Sequence, residues 1–525
     1  MGQLLSYAMQ IGLRAAGLYT SLVWGDGKGG CTLFALLRKG DCPLCRAGKG
    51  DSPRFRTAGN GCSPLFFAAL AWAAMLTSMQ TRAAEPAAPP AAPPAASAAG
   101  DGPAILKSFF AEADAAKRAD LAAKFAAVAP KAWPDLKAML HAAAPRDPFP
   151  AGRQSLQTPA EGATPPIKYI LRVPAGYAAG AARGWPLIIT CHGMGGSGAG
   201  ALSQIEGWLG DDVENYLVAA AESPDAGIYQ PNRGNMEYPL SVLHDVRRRA
   251  NVDSDRTVLT GFSRGGYTTW ATALFAPGEW GGAAPMASYP MTEAGAAGAL
   301  LYLPNILGLA VQHHWGANDI EPGQKEGINT LSRDVAAEMK RLGAKRFEGI
   351  EYPGQGHDIK PDAAKFREFV RTARRDAFPN ECRLIFHALW QGRAYFVRAT
   401  VAAKADFNFR VPYTVKTTRP VMDPRKFRRD FLFGEAFELT VHAATGSNAV
   451  AVTARNIQEV EIELSAEKMD FARPVRVSVN SQVVQGVPQK VDWLELLDTA
   501  RQTGDFDRLV AGRIKARVSG GTKTP

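Results

Sequence analysis

Gly261-Phe262-Ser263-Arg264-Gly265-Gly266 comes directly after the apolar run Thr257-Val258-Leu259-Thr260. A serine between spaced glycines in that position can form a nucleophile elbow. Only small residues two before and two after the serine let the chain turn sharply from strand to helix and leave Oγ exposed at the turn. The pattern by itself is weak, because 52 of the 525 residues are glycine. Its weight depends on the segments that stand before and behind it.

Around the elbow, short apolar runs at 167–173, 187–190, 216–221, 257–260 and 307–312 read as strands. Helix-length segments at 241–250, 266–274 and 332–342 separate them. Strands alternating with such helices predict an α/β fold with a mostly parallel central sheet covered on both faces. In that architecture reactive groups gather at the carboxyl ends of strands.

Three candidate partners for Ser263 stand at such strand ends. Cys191-His192-Gly193-Met194-Gly195-Gly196-Ser197-Gly198 follows the strand at 187–190, and a strand opening into glycines can aim N–H groups at one developing oxyanion. No Gly-Lys-Ser/Thr ending follows, so a phosphate-binding loop is excluded. The amides of Met194 and Arg264 are the expected donors, with His192 as a side chain that orients the loop. Asp319 lies beyond the strand at 307–312, in His313-His314-Trp315-Gly316-Ala317-Asn318-Asp319-Ile320-Glu321, and Glu321 and Asp358 are its rivals as the acid. His357 lies in the Gly-flanked turn Gly354-Gln355-Gly356-His357-Asp358, after the short run at 347–352. Ser, then acid, then His is one chain order in which a catalytic triad occurs on α/β sheets. His313, His314 and Trp315 are expected in a pocket wall rather than as metal ligands. Glu237, in the loop-like stretch Asn232-Arg233-Gly234-Asn235-Met236-Glu237, is a further pocket candidate. Ester or amide hydrolysis by this set needs no metal and no cofactor.

With these residues in view, the chain resembles the α/β-hydrolase superfamily. The resemblance is to its exported poly(3-hydroxybutyrate) depolymerase, feruloyl esterase and acetyl-xylan esterase-like group, which overlaps prolyl-oligopeptidase-like serine hydrolases. His192-Gly193-Met194-Gly195-Gly196, the elbow with its approach Asp255-Arg256-Thr257-Val258-Leu259-Thr260, Gly316-Ala317-Asn318-Asp319 and Gly356-His357 carry it, over about residues 165–375. It implies a catalytic Ser263, Asp319 and His357, an oxyanion hole from the elbow and the His-Gly loop, no cofactor, and a carboxylic ester as substrate, either a small molecule or polymer-linked. Trp315 and Met194 depart from the common pattern and leave the acyl and leaving-group pockets open. A serine peptidase with the same triad is the enzymatic alternative, and a non-catalytic binding module on a hydrolase fold the alternative of another class.

The net charge of +10 is concentrated at the start, where residues 1–84 hold nine Lys or Arg against three acids. The remaining charge is too small and dispersed to indicate a nucleic-acid partner. Within that leader Arg54 and Arg56 precede an apolar run at 64–76 and small residues near Ala83-Ala84. This is the order of a signal peptide, and the run is too short for a lasting membrane span. A secreted or periplasmic location is expected, although the run stands abnormally far from Met1, as it would with a downstream start, an uncleaved anchor or a buried helix. Cys31, Cys42, Cys45 and Cys62 lie in the same leader, with a spacing that matches no zinc module. Residues 85–100 are an Ala/Pro spacer. The expected organisation is then a helical prefix at 101–160, the catalytic domain at 161–378 and an accessory β-rich domain at 379–525. In the last, alternation at 460–464 and 475–479 predicts a half-buried antiparallel sheet. The basic run Pro424-Arg425-Lys426-Phe427-Arg428-Arg429 reads as a solvated loop face.

Overall fold

Eight strands form the central sheet: β1 (Gly152–Gln157), β2 (Lys168–Val173), β3 (Trp185–Cys191), β4 (Leu217–Ala221), β5 (Val252–Phe262), β6 (Gly282–Met286), β7 (Ala310–Gly316) and β8 (Phe347–Tyr352). In this computed structural model, which describes residues 19–23, 32–36, 101–160, 164–224, 229–320, 326–411 and 423–518, their spatial order is β8-β7-β6-β5-β3-β4-β2-β1. The six strands from β3 to β8 pair in parallel, while β2 runs antiparallel to both β4 and β1. β3 and β4 read as unbroken apolar runs because both faces are covered, and every residue of β4 is buried. The leader contributes one antiparallel pair, Tyr19–Val23 with Thr32–Leu36, in a unit of residues 1–95 separate from the unit 96–525. The apolar run at 64–76, the four leader cysteines and the Ala/Pro spacer lie outside the described residues.

Helices α1 (Gly102–Ala111), α2 (Ala115–Val128) and α3 (Trp133–Ala143) make up the stretch read as a prefix. They bury Leu106, Phe109, Phe125, Leu136 and Leu140 in a core shared with Leu496, Leu497 and Phe506 from far downstream. Four helices flank the central sheet: α4 (Gly198–Leu209), α5 (Arg233–Arg249), α6 (Arg264–Phe275) and α7 (Ile328–Arg341), followed by α8 (Ala363–Thr372). α5 carries Pro239 within it and still starts well, since the Asn232 side chain accepts from the Asn235 amide.

The C-terminal region holds two further sheets. β9 (Glu381–Phe386), β11 (Phe437–Ala444), β12 (Ala449–Arg455) and β14 (Arg476–Val479) form one, and β10 (Val397–Ala402), β13 (Ile457–Ser465) and β15 (Val510–Arg517) the other. All their pairings are antiparallel except β12 with β14. The basic run read as a loop is instead the start of helix α9 (Pro424–Glu435), capped by the Asp423 side chain. Its Arg425 pairs with Glu326 and its Arg428 donates to the Ala294 carbonyl. Helix α10 (Trp493–Thr503) completes the core with α1–α3.

Buried charges fasten this region to the central sheet. Arg375, just beyond α8, donates twice to Asp505 at 2.6 and 2.9 Å and once to Asp255 at 2.9 Å. Arg247 of α5 reaches Glu279 at 2.6 Å. Burial opposes ionisation of Asp505, yet Arg375 and Arg247 hold its carboxyl far below the usual carboxylate range. Removing one partner from such a cluster leaves an uncompensated buried charge, so these contacts favour one packing of the two regions over others.

Candidate active site

β3 and β5 are neighbours in register, with Cys191 opposite Gly261, so the two Gly-rich segments that follow them emerge side by side. Ser263 links β5 to α6 with φ 54° and ψ −115°, a left-handed conformation that costs a non-glycine residue on the order of 1–3 kcal/mol. Its amide donates to the Met286 carbonyl at 2.9 Å, and the Tyr267 amide donates to its carbonyl at 3.0 Å. The flanking glycines are obligatory for packing: a Cβ on Gly265 would collide with the Cys191 carbonyl, and one on Gly261 with the Gly265 backbone. The strain is thus held in place by two strands and a helix, and α6 aims its positive end at the serine.

Ser263 Oγ lies 2.8 Å from His357 Nε2, and His357 Nδ1 lies 3.1 and 3.2 Å from the two carboxylate oxygens of Asp319. Asp319 is buried, whereas the His357 side chain is 42% exposed. The acid and histidine loops are pressed together. Gly316 leaves no room for a Cβ against the Gly356 carbonyl, and the Asn318 amide donates to the Gln355 carbonyl at 2.9 Å. Asn329 secures the acid loop from α7, its amide donating to the Asp319 carbonyl at 3.1 Å and its side chain to the Ala317 carbonyl at 2.8 Å. Of the rival acids, Asp358 is exposed and Glu321 lies outside the described residues.

On the other side of the serine, a Cβ on Gly193 would stand 3.5 Å from the Ser263 Cβ, so the His-Gly loop borders the hydroxyl directly. Met194 is 61% exposed at the tip of that loop, while Arg264 opens α6 with its side chain buried. An Arg264 guanidinium nitrogen sits 3.5 Å from His192 Nδ1, which is also 2.8 Å from the Gly193 carbonyl. Arg264 therefore packs beneath the loop rather than facing solvent. His192 Nε2 meets the Ser223 amide at 3.2 Å and the Glu222 carboxylate at 3.3 Å, and Glu222 also accepts from the Gly198 amide. Glu222 and Ser223 were not singled out in the sequence, where two polar residues after a strand carry no distinguishing pattern.

The other pocket candidates are not brought to the serine. β7 begins at Ala310, later than the apolar run at 307–312 suggested, and extends through Gly316, because Leu307–Leu309 turn out of the 3-10 helix Leu300–Ile306 before the strand starts. His313 and His314 are consequently interior strand residues with opposite facings, each fully buried. His313 bonds the Ser288 carbonyl at 2.7 Å, and His314 meets the Tyr352 hydroxyl at 2.9 Å. Burial lowers their pKa values to about 4 and about 3, so both are neutral near pH 7. Trp315 is buried against His313 with ring centroids 4.7 Å apart. Glu237 pairs with Arg233 on α5 at 2.8 Å and reaches Thr164 Oγ1 at 3.5 Å. Trp270 and Trp280 are core residues. Among the described residues no group of three or more His, Cys, Asp or Glu is arranged to hold a metal ion, and no helix is long and apolar enough to cross a membrane.

No family model matches the chain, and no curated protein does. Among solved structures it is similar to a thermostable esterase, at 20% identity and TM-score 0.34 over 42% of this chain and 63% of that one. An acetyl xylan esterase from Aspergillus awamori is similar at 14% identity and TM-score 0.34, over 42% of this chain and 99% of that one. A ferulic acid esterase from Anaeromyces mucronatus is similar at 14% identity and TM-score 0.32, over 44% and 94%. Likeness of this degree transfers no activity to the chain.

Proposed function

We propose that this chain is a serine hydrolase of the α/β-hydrolase fold that cleaves carboxylic esters through an acyl-enzyme. The observation that carries the reading is the continuous contact from Ser263 Oγ through His357 to the buried Asp319 carboxylate, built on a strained strand-to-helix turn. In this reading His357 Nε2 takes the hydroxyl proton as Oγ attacks the ester carbonyl, and Asp319 holds the Nδ1–H tautomer and stabilises the imidazolium. The tetrahedral oxyanion is received by the amides of Met194 and Arg264, with the α6 dipole adding to the stabilisation. His357 then protonates the departing alkoxide, and water attacks the acyl-enzyme with His357 again as base, so that the acid leaves and Ser263 is restored.

The exposure of His357 favours substrates whose bulk stays outside the protein, such as an ester displayed on a polymer. Parallel assays of short acyl esters, feruloyl esters and a peptide amide test the reaction class. Ester turnover that disappears in Ser263→Ala is expected, and amide turnover without ester turnover would overturn the assignment. The basic, apolar and small-residue order of the leader supports export as part of the same proposal. Recovery of mature protein from the periplasm or medium, with an N-terminus close to the Ala/Pro spacer, is the expected result.

A further inference from the structure

The end of the central sheet opposite Ser263 holds a cavity of about 710 Å³. Trp185 at the start of β3 lines it, and Cys191 at the end of that strand borders the catalytic loops. At about 3.3 Å per residue the two ends are some 20 Å apart. Pro186, Leu209 and Tyr216 join Trp185 in an apolar wall, and Arg183, Arg256, Arg367 and Arg371 supply the charge.

Only two carboxylates line the same cavity, and both are engaged. Asp212 pairs with Arg367 at 3.8 Å, and Glu368 pairs with Arg371 at 2.5 Å. Arg183 forms no ion pair among the described residues, and the Arg256 Nε is buried with no hydrogen-bond partner. The charge of Asp253 acts on both Arg256 and Arg183, but it forms no ion pair with either among the described residues. A guanidinium N–H buried without a partner is costly, because the group is charged. A guanidinium pairs most favourably with an oxyanion, whose two oxygens match its fork of donors.

We propose that this cavity is a binding site for an organic oxyanion, a carboxylate or phosphate head on a flat apolar body. The head sits on Arg256 and Arg183, and the body lies along Trp185 and Tyr216. Desolvation, together with repulsion from Arg374 and Arg183, lowers the Arg256 pKa, and the charge of a bound anion offsets both. The site is separate from Ser263, so its occupant is a second ligand and not the hydrolysed ester.

Isothermal titration of the full chain with phenyl phosphate, benzoate and the uncharged phenol tests this, in parallel with Ser263→Ala. Saturable binding of at least one of the two anions is expected, and the tighter of them identifies the head group. Phenol should bind at least tenfold more weakly, and added salt should weaken the anions. Arg183→Gln changes an exposed rim residue and Arg256→Gln a half-buried one. Each should weaken anion binding about tenfold, while Ser263→Ala leaves it unchanged. Absence of saturable binding, equal affinity for phenol, or full affinity in Arg183→Gln and folded Arg256→Gln would overturn the proposal. Anion binding by a parent chain that turns over no ester would count against the hydrolase reading alone.

Discussion

His357 Nε2 stands 2.8 Å from Ser263 Oγ although 94 residues separate the two, and the histidine leaves much of its ring to solvent. The hydroxyl is polarised in the free protein, without a rearrangement to assemble the pair. An organophosphonate should therefore label the chain rapidly. Ser263→Ala should abolish the label and lower kcat by about four to six powers of ten with little change in Tm. Mass spectrometry of labelled peptides reads the outcome, and a label retained in the variant would refute the choice of nucleophile.

Asp319 is the carboxylate on His357 Nδ1. Asp319→Asn preserves the shape of the loop and reverses the preferred tautomer, so kcat should fall about 10⁴-fold. Asp358→Asn, at an exposed residue, should stay within a factor of two or three of the parent. Steady-state kinetics on one short ester compares them directly.

The oxyanion assignment concerns a backbone group, which side-chain truncation does not remove. Met194→Ala should leave kcat near the parent value, whereas Met194→Pro deletes the amide hydrogen and should cost about 10²–10³ in kcat. Equal effects of the two changes would show that the Met194 amide does not act in the transition state.

Gly265 and Gly195 offer a contrast in packing. A methyl group on Gly265 meets the Cys191 carbonyl, while one on Gly195 meets no atom and pays only for its positive φ. Gly265→Ala should destabilise the fold by about 3 kcal/mol and Gly195→Ala by about 1 kcal/mol, as measured by denaturant unfolding.

His141 is buried between two acceptors. Its Nδ1 is 2.8 Å from Asn251 Oδ1 and its Nε2 is 3.1 Å from Asp507 Oδ1, and the Asn251 amide is oriented by its donation to the Ala181 carbonyl. Both ring nitrogens must donate, which makes the residue an imidazolium. Burial pulls its pKa down, but the bond and charge of Asp507 outweigh this and raise it above 6.5, against the opposing charge of Arg146. Lys137, Asp253, Asp255 and Asp505 are the other charges around Asp507 and its neighbours. Because the folded-state pKa is the higher one, the contribution is complete below about pH 6.5 and is lost as pH rises through the folded value. His141→Phe should cost about 3 kcal/mol at pH 6 and progressively less at alkaline pH, as followed by Tm across a pH series.

Much of the central sheet was legible in the chain because buried parallel strands are short, continuous apolar runs. β3, β4 and the end of β5 read on that basis, and the antiparallel β2 from its apolar run at 167–173. β6 was missed, since Gly-Ala-Ala-Pro-Met has neither length nor β-branched residues to mark it and becomes a strand only between β5 and β7. α9 was read as a loop because its charges hide the period, and its apolar contacts and its partner Glu326 come from distant segments.

The sequence by itself determined the local chemistry: which serine can sit in a sharp turn, which glycines permit it, and in what order an acid and a histidine follow. Those are properties of neighbours along the chain, set by sterics and donor types. Tertiary structure alone decided that β3 and β5 lie side by side, that Asp319 reaches His357, and that His313, His314 and Trp315 turn into the core. It also joined helices α1–α3 to residues near 500 and left Arg183 and Arg256 without an ion pair among the described residues at the far end of the sheet. Each of these depends on contacts between segments tens to hundreds of residues apart, whose energies no local pattern encodes.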